Sequence, residues 1–332
     1  MNYLENPVFI CGHRKGGTTM LINLFDGSSD AIVYPDDSGL FYMYYPKYAK
    51  EEFSDSEKIN RLANRVGDEN LKEIIDDINC MDTDKEILLR KQRSFHNKLL
   101  KYNEIGFETK DILKYFIDSF QKSFFEKAIE PKVWIEKTTS TEIYAVEIAK
   151  WFKNAKFIHI VRDPRDNWAS LKSGWEKRYT NYNDSINELM HSMIERGHLG
   201  LRMAKENQEI LGVDKYSIIK YEDLTMNSEH HMRSLANFIG IEFNENLLNP
   251  TKFGFSWNGN NFDGIKNTKP SSINVNRWKK RITDEEAALI EYYFEDVMCD
   301  FGYELSYSKI KRQSAARNHY KWYNFSTKNS VN

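Results

Sequence analysis

The chain has 332 residues, 40% hydrophobic and 29% charged, a globular composition long enough to bury a core without covalent staples. Lys plus Arg number 47 and Asp plus Glu 49, a net charge of −2, which argues against a nucleic-acid binder but leaves room for a local basic pocket. Cys11, Cys80 and Cys299 are odd in number and fit neither a disulfide framework nor a zinc site, so they read as reduced thiols. Residues 1–7 lack the basic and apolar regions of a signal peptide, and no apolar run reaches transmembrane length. The expectation is a cytoplasmic chain without a membrane segment. Residues 8–11 read as a buried strand, and a helix over 19–25 puts Met20, Leu21, Leu24 and Phe25 on one face. A short strand at 32–34 follows. Residues 46–130 are charged and mostly helical, an insertion. A strand is expected at 132–136, a helix at about 141–152, and the clearest strand of all at 156–161. Asp163 then reads as an N-cap, with Pro164 at the first helical position and Asp166 in the first turn. A long helix at 185–211, a strand at 216–221 and a helix at 228–239 come next. Thr283 and Glu286 form a capping box that opens a helix to about 301. The expected domain is single, over 1–332, with a flexible tail at about 308–332.

Strands alternating with helices imply an α/β fold with a central parallel sheet covered on both faces. In such sheets ligands sit beyond the carboxyl ends of the strands. Two strand exits carry the chemistry. The first is Gly12-His13-Arg14-Lys15-Gly16-Gly17-Thr18-Thr19, between a strand and a helix. Glycines let the backbone turn and approach an anion, the helix N-terminus adds positive potential, and Lys15 supplies a full charge. Gly12 and Gly17 have the Walker A separation, but Thr18 stands where that motif has its lysine. A kinase or NTPase is therefore disfavoured. The second exit runs over 162–170. Arg162 leaves the strand and Ser170 lies two turns into the next helix, a fork and a hydroxyl suited to a second phosphate.

These segments resemble sulfotransferases that use 3′-phosphoadenosine 5′-phosphosulfate (PAPS). Lys15-Gly16-Gly17-Thr18-Thr19 is similar to the family's 5′-phosphosulfate loop, and Arg162 through to Ser170 to its 3′-phosphate element. Glu136-Lys137-Thr138 is similar to the Glu-Lys-Thr-Pro segment of the glycan-modifying branch, with Thr139 in place of the proline. Tyr221-Glu222-Asp223-Leu224 and Arg277-Trp278-Lys279 match two further segments, so the likeness spans residues 7 to about 302. The Arg-Lys-Gly signature of the cytosolic steroid and phenol branch is missing. The lysine followed by two glycines looks more like the heparan-type branch, and the family's tyrosylprotein branch is also similar.

The resemblance implies a P-loop-like sulfotransferase fold, PAPS as donor, its bisphosphate PAP as product, and no required metal. It implies donor binding by Arg14, Lys15, Gly16, Gly17, Thr18, Thr19, Arg162, Ser170, Tyr221, Arg277, Trp278 and Lys279. Lys15 would stabilise the leaving oxygen, with Lys137 assisting. The general base would be an acid one short strand after the loop, either Asp36 or Asp37, its pKa raised by burial or by its neighbour. A Pro-Asp-Asp sequence is also good turn chemistry. Tyr221 would contact the adenine or pack at a strand end. His13 and His159 rank below the aspartates as bases. The acceptor is expected to be a glycan or another alcohol, small molecules included, bordered by residues 39–46 and 256–261; the oligomeric state is open. Alternatives are a P-loop kinase or NTPase, which would need Mg²⁺ and ATP, and a nucleotide-binding module without turnover.

Overall fold

The structure, a computed structural model, describes residues 2–41, 53–65, 70–76, 78–104, 109–125, 130–178, 186–259 and 268–329. Five strands, β1 (Pro7–Cys11), β2 (Ala31–Asp37), β3 (Val133–Lys137), β4 (Lys156–Val161) and β5 (Tyr216–Lys220), form a parallel sheet in the order β2-β3-β1-β4-β5. β1 is buried along its whole length, as a strand covered on both faces should be. Val8 and Ile10 face one layer with helix α1 (Thr18–Phe25). Phe9 and Cys11 face the other. This period-2 split puts alternate side chains of β1 into two cores.

The second layer holds the insertion. Its described residues contain α2 (Asp55–Asn64), α3 (Asn70–Asp76), α4 (Asp82–Leu100) and α5 (Thr109–Phe124). α4 buries Leu88, Gln92, Phe95 and Leu99, one stripe at helical spacing. Phe95 meets Phe116 of α5 at 5.5 Å, and Phe116 meets Tyr34 of β2 at 5.0 Å, so aromatic edges join the insertion to the sheet.

The remaining elements largely follow the sequence pattern. The 141–152 segment opens as a 3₁₀ turn, Thr141–Tyr144, and continues as α6 (Ala145–Trp151). Pro164 begins α7 (Pro164–Arg178), and the Asp163 carboxylate accepts the Arg165 N–H at 2.9 Å as an N-cap does. α8 (Ile186–Leu211), α9 (Tyr221–Met226) and α10 (Ser228–Ile239) follow, then a hairpin of β6 (Thr251–Lys252) and β7 (Phe255–Ser256). Tyr221 starts α9 rather than ending β5. After α11 (Trp278–Arg281), the capping box at Thr283 and Glu286 opens α12 (Asp284–Tyr293). The helix breaks at buried Phe294 before α13 (Glu295–Asp300), where one helix to 301 was expected. Residues 309–329 are helical, α14 (Lys309–Asn329), with Ala315 and Ala316 buried in the core that also holds Ala288 of α12. Among the described residues no helix is long and apolar enough to cross a membrane.

Candidate active site

The sheet order creates the site. The chain leaving β1 crosses toward the β2 edge, whereas the chain leaving β4 goes to β5 on the opposite side. Their carboxyl ends therefore part, and a crevice opens between them. A cavity of about 290 Å³ lies there. Its wall takes Arg14, Lys15, Gly17, Thr18 and Thr19 from the first exit, and Arg162, Asp166 and Ser170 from the second. Lys137 and Thr139 come from the end of β3, Tyr221 from the end of β5, and Trp257, Lys269, Asn274, Arg277 and Arg281 from the segment after the hairpin.

The first loop has the backbone its glycines foretell. Gly12 and Gly17 have φ of 136° and 110°, outside the range that side chains favour, and Lys15 takes a left-handed φ of 63°. A Cβ on Gly17 would stand 2.6 Å from the Tyr221 ring, and one on Gly12 2.6 Å from the Ile160 carbonyl. Four hydrogen bonds hold this loop against its surroundings. The Gly12 N–H donates to the buried Glu142 carboxylate at 3.1 Å. Asn167 of α7 donates its amide to the Arg14 carbonyl at 2.9 Å, and its amide oxygen faces His13 Nδ1 at 3.0 Å. Arg162 donates Nη1 to the Lys15 carbonyl at 2.9 Å. The two strand exits thus touch directly.

Both histidines belong to the scaffold. Burial, helped by Arg14, pushes His13 down to about 4, which leaves it neutral with Nδ1 donating to Asn167. Burial pushes His159 down to about 3, and its Nδ1 meets the Tyr216 hydroxyl at 2.8 Å.

The wall is strongly cationic. Among the described residues seven cations line it, Arg14, Lys15, Lys137, Arg162, Lys269, Arg277 and Arg281, against one carboxylate, Asp166. Asp166 accepts the backbone N–H groups of Asn276 at 2.6 Å and Trp278 at 2.8 Å, so it fastens the segment carrying Arg277 over the cavity. Burial outweighs the nearby Arg162 charge and raises Asp166 to about 6. Arg162 donates Nη2 to the Asn274 carbonyl at 2.9 Å and lies 4.4 Å above the Tyr221 ring. Tyr221 thus both packs and faces the cavity.

Five residues singled out from the sequence are not on this wall: Gly16, Asp36, Asp37, Trp278 and Lys279. Gly16 holds the turn, its N–H donating to the His13 carbonyl at 2.9 Å. Trp278 is buried against Arg165 at 4.3 Å, and Arg165 is bound to Asp163 and Glu291. Lys279 points outward and is exposed. Arg281, which the sequence reading passed over, is on the wall instead. The spacing of 277 and 281 was the available signal, because residues four apart share a helix face and residues two apart do not.

The aspartates divide. β2 is an edge strand whose Pro35 cannot donate to the ladder, and its register with β3 slips between Val33 and Asp37. Past that irregularity Asp36 Oδ1 comes within 3.6 Å of Lys137 Nζ, and Oδ2 within 2.8 Å of Lys252 Nζ. Lys137 Nζ also donates to the Thr19 hydroxyl at 3.2 Å, which ties Asp36 to the first loop. Burial works against ionisation of Asp36, but Lys137 and Lys252 outweigh it and hold the carboxyl well below the usual carboxylate range. That direction is opposite to the raised pKa expected from the sequence. Asp37 accepts from Gly39 N–H at 2.9 Å, a turn contact, and from the Thr139 N–H and hydroxyl at 3.1 and 2.8 Å, which tie that turn to the end of β3. Lys252 is 216 positions from Asp36, and no sequence signal pointed to it. Residues 42–46 and 260–261 of the two acceptor-side segments lie outside the described residues; Trp257 and Gly259 are on the wall.

With that geometry in view, residues 7–245 match the sequence profile of the sulfotransferase family. A protein-tyrosine sulfotransferase from Drosophila melanogaster is 26% identical over 158 residues, which cover 46% of this chain and 30% of that protein. The chain therefore spans under a third of that relative's length. Two solved structures share the fold, each with a TM-score of 0.56 and over 91% of this chain. They are the sulfotransferase domain of the Synechococcus PCC 7002 olefin synthase, 18% identical and covered over 96% of its length, and that of the curacin biosynthetic pathway, 16% identical and covered over 99%. The chain belongs to the sulfotransferase family, transferases that move a sulfuryl group from donor to acceptor.

Proposed function

We propose that this chain transfers the sulfuryl group of PAPS to a hydroxyl of a glycan or another alcohol. The observation that carries the reading is that Lys15 and Arg162, from two neighbouring strand ends, share one cavity with five further cations. The site's make-up fits a donor with anionic groups at both ends. A Cβ at Gly17 would stand 2.6 Å from the Tyr221 ring, so glycine is what lets the loop and Tyr221 close together on the cavity. Arg162 Nε is buried without a hydrogen-bond partner, and the single carboxylate on the wall is engaged by backbone N–H groups. When bound, PAPS supplies an activated sulfuryl group with adenosine bisphosphate as the leaving group.

Each group then has a task. The Gly17 N–H and the hydroxyls of Thr18 and Thr19 hold the 5′ end, while Gly16 spends its own N–H on the His13 carbonyl to keep the turn. Arg162 and Ser170 hold the 3′ phosphate, with Arg14, Arg277 and Arg281 adding charge around it. Lys15 and Lys137 stabilise the negative charge that grows on the bridging oxygen, an interaction stronger in the transition state than before it. This cationic wall supplies the charge compensation that Mg²⁺ provides in P-loop NTPases. Asp36 takes the acceptor proton: it lies off the donor wall, but its side chain is 26% exposed beside Lys137, the group that serves the leaving oxygen. Held well below the usual carboxylate range, it is a weak base, and the proton transfers only once the acceptor oxygen has begun to bond to sulfur and has become acidic.

A tyrosine hydroxyl is the second reading of the acceptor, favoured by the likeness to the Drosophila protein. Labelled PAPS offered with oligosaccharides, tyrosine peptides, phenols and lipid alcohols tests both. Label should pass to one class without added metal, and Mg²⁺ with labelled ATP should transfer nothing. A chain that neither binds adenosine bisphosphate nor consumes PAPS with any acceptor overturns the proposal.

A further inference from the structure

We propose that Lys252 is a positioning residue of this reaction: its ammonium keeps the Asp36 carboxylate ionised and directed along Lys137 toward the anion loop, and so sets the lowest pH at which the acceptor hydroxyl can be deprotonated. The inference rests on the reading of Asp36 as the base.

Lys252 is held, not loose. It sits on the β6–β7 hairpin, whose backbone is fastened to Asp26 at the end of α1. The Asp26 carboxylate accepts the Thr251 hydroxyl at 2.7 Å and the Gly254 N–H at 2.8 Å. Between them Phe253 takes a left-handed φ of 52° and lays its ring on Phe124 of the insertion at 5.0 Å. The hairpin is therefore pinned on both sides of Lys252. From there its Nζ reaches Asp36 Oδ2 at 2.8 Å, with 12% of the Lys252 side chain exposed.

The other carboxylate oxygen is equally committed. Asp36 Oδ1 accepts the Asp37 N–H at 2.7 Å and faces Lys137 Nζ at 3.6 Å. A continuous polar chain therefore runs from Lys252 through Asp36 and Lys137 to Thr19. The ionisable groups around Asp36 come from four elements. Tyr34 and Asp37 share its strand, Lys137 and Glu136 lie on β3, Lys252 is on the hairpin, and Arg65 at the end of α2 faces Tyr34. The two lysines favour the carboxylate, as does the Asp37 N–H, and together they work against its burial. With one of them gone, burial gains weight and the carboxyl protonates at a higher pH.

The test compares pH profiles of kcat/KM for the full chain, using labelled PAPS and whichever acceptor takes up label from the panel above. Wild type should show no limb from Asp36 down to about pH 5, only the fall near 6 that Asp166 gives every variant alike. Lys252→Met removes a charge and a hydrogen bond from a buried carboxyl and should bring the Asp36 limb into this range, so that the profile falls at higher pH than wild type. Lys252→Gln, which keeps a donor without the charge, should do the same, and Lys252→Arg should restore the wild-type profile. Asp36→Asn should lose at least about 100-fold at every pH. Neutral variants whose profiles superimpose on wild type, beside an inactive Asp36→Asn, overturn the role of Lys252 alone. An Asp36→Asn variant with near-normal turnover overturns the base reading and this inference with it.

Discussion

Lys15, to which the proposed reaction gives the leaving oxygen, stands in an unusual backbone conformation. A left-handed φ of 63° on a residue with a side chain costs energy, and the loop keeps it because the Lys15 carbonyl receives Arg162 while the glycines on either side absorb the turn. Lys15→Ala should lower kcat about 10²–10³-fold, with a smaller change in donor affinity, since other cations remain on the wall. Single-turnover rates with labelled PAPS check this; undiminished chemistry in the variant rules Lys15 out. Glu136 offers a second residue-scale prediction. It is buried, its Oε1 accepts from Ser38 and Thr138, and its Oε2 has no partner. Burial pushes it up to about 7, so between about 4.5 and 7 the folded state holds a proton that the unfolded chain has lost. Its stabilising contribution is full below about 4.5 and disappears as pH rises to about 7. Relative to Glu136→Gln, wild type should lose on the order of 3 kcal/mol across that window, read from urea melts at several pH values. Parallel pH curves for the two proteins would contradict the assignment.

Elements matter at this site through the tethers between them. Asp166 projects from the first turn of α7 and pins the segment before α11 by two backbone N–H groups. Asp166→Ala should weaken adenosine bisphosphate binding by about tenfold or more while leaving the fold intact, because Arg277 and Arg281 lose their fixed place rather than their charge. Calorimetric titration measures it; unchanged affinity would show that the segment holds its position without this tether. The insertion is joined to β2 by an aromatic cluster. Phe116, fully buried between Tyr34 and Phe95, should cost about 3–5 kcal/mol as Phe116→Ala in denaturant unfolding. A loss under 1 kcal/mol would mean the insertion is not part of the cooperative core.

At the scale of the whole molecule, a net charge of −2 coexists with seven cations around one cavity. Such focusing raises the local concentration of an anionic ligand without making the surface generally basic. Adenosine bisphosphate at about 100 times its dissociation constant should stabilise the fold by about 2.7 kcal/mol and raise the melting temperature by several degrees. Added salt should shrink the gain, since charge carries the binding. ATP with Mg²⁺ giving an equal shift, and adenosine bisphosphate none, would point away from the sulfotransferase reading of the cavity.

Much of this was legible in the chain because it is local. Glycines between an apolar strand and a helix, an arginine leaving a second strand, and N-caps at Asp163 and Thr283 need only neighbours a few positions away, and the structure has each of them in place. The order of the strands, and hence the crevice, was not local. Nor were the burial of Trp278 in place of Arg281, the turn role of Asp37, and the pairing of Lys252 with Asp36. An ion pair between residues 216 positions apart leaves no periodicity to read. The direction in which Asp36 titrates depends on which charges the fold brings to it, and only the tertiary structure supplies those distances.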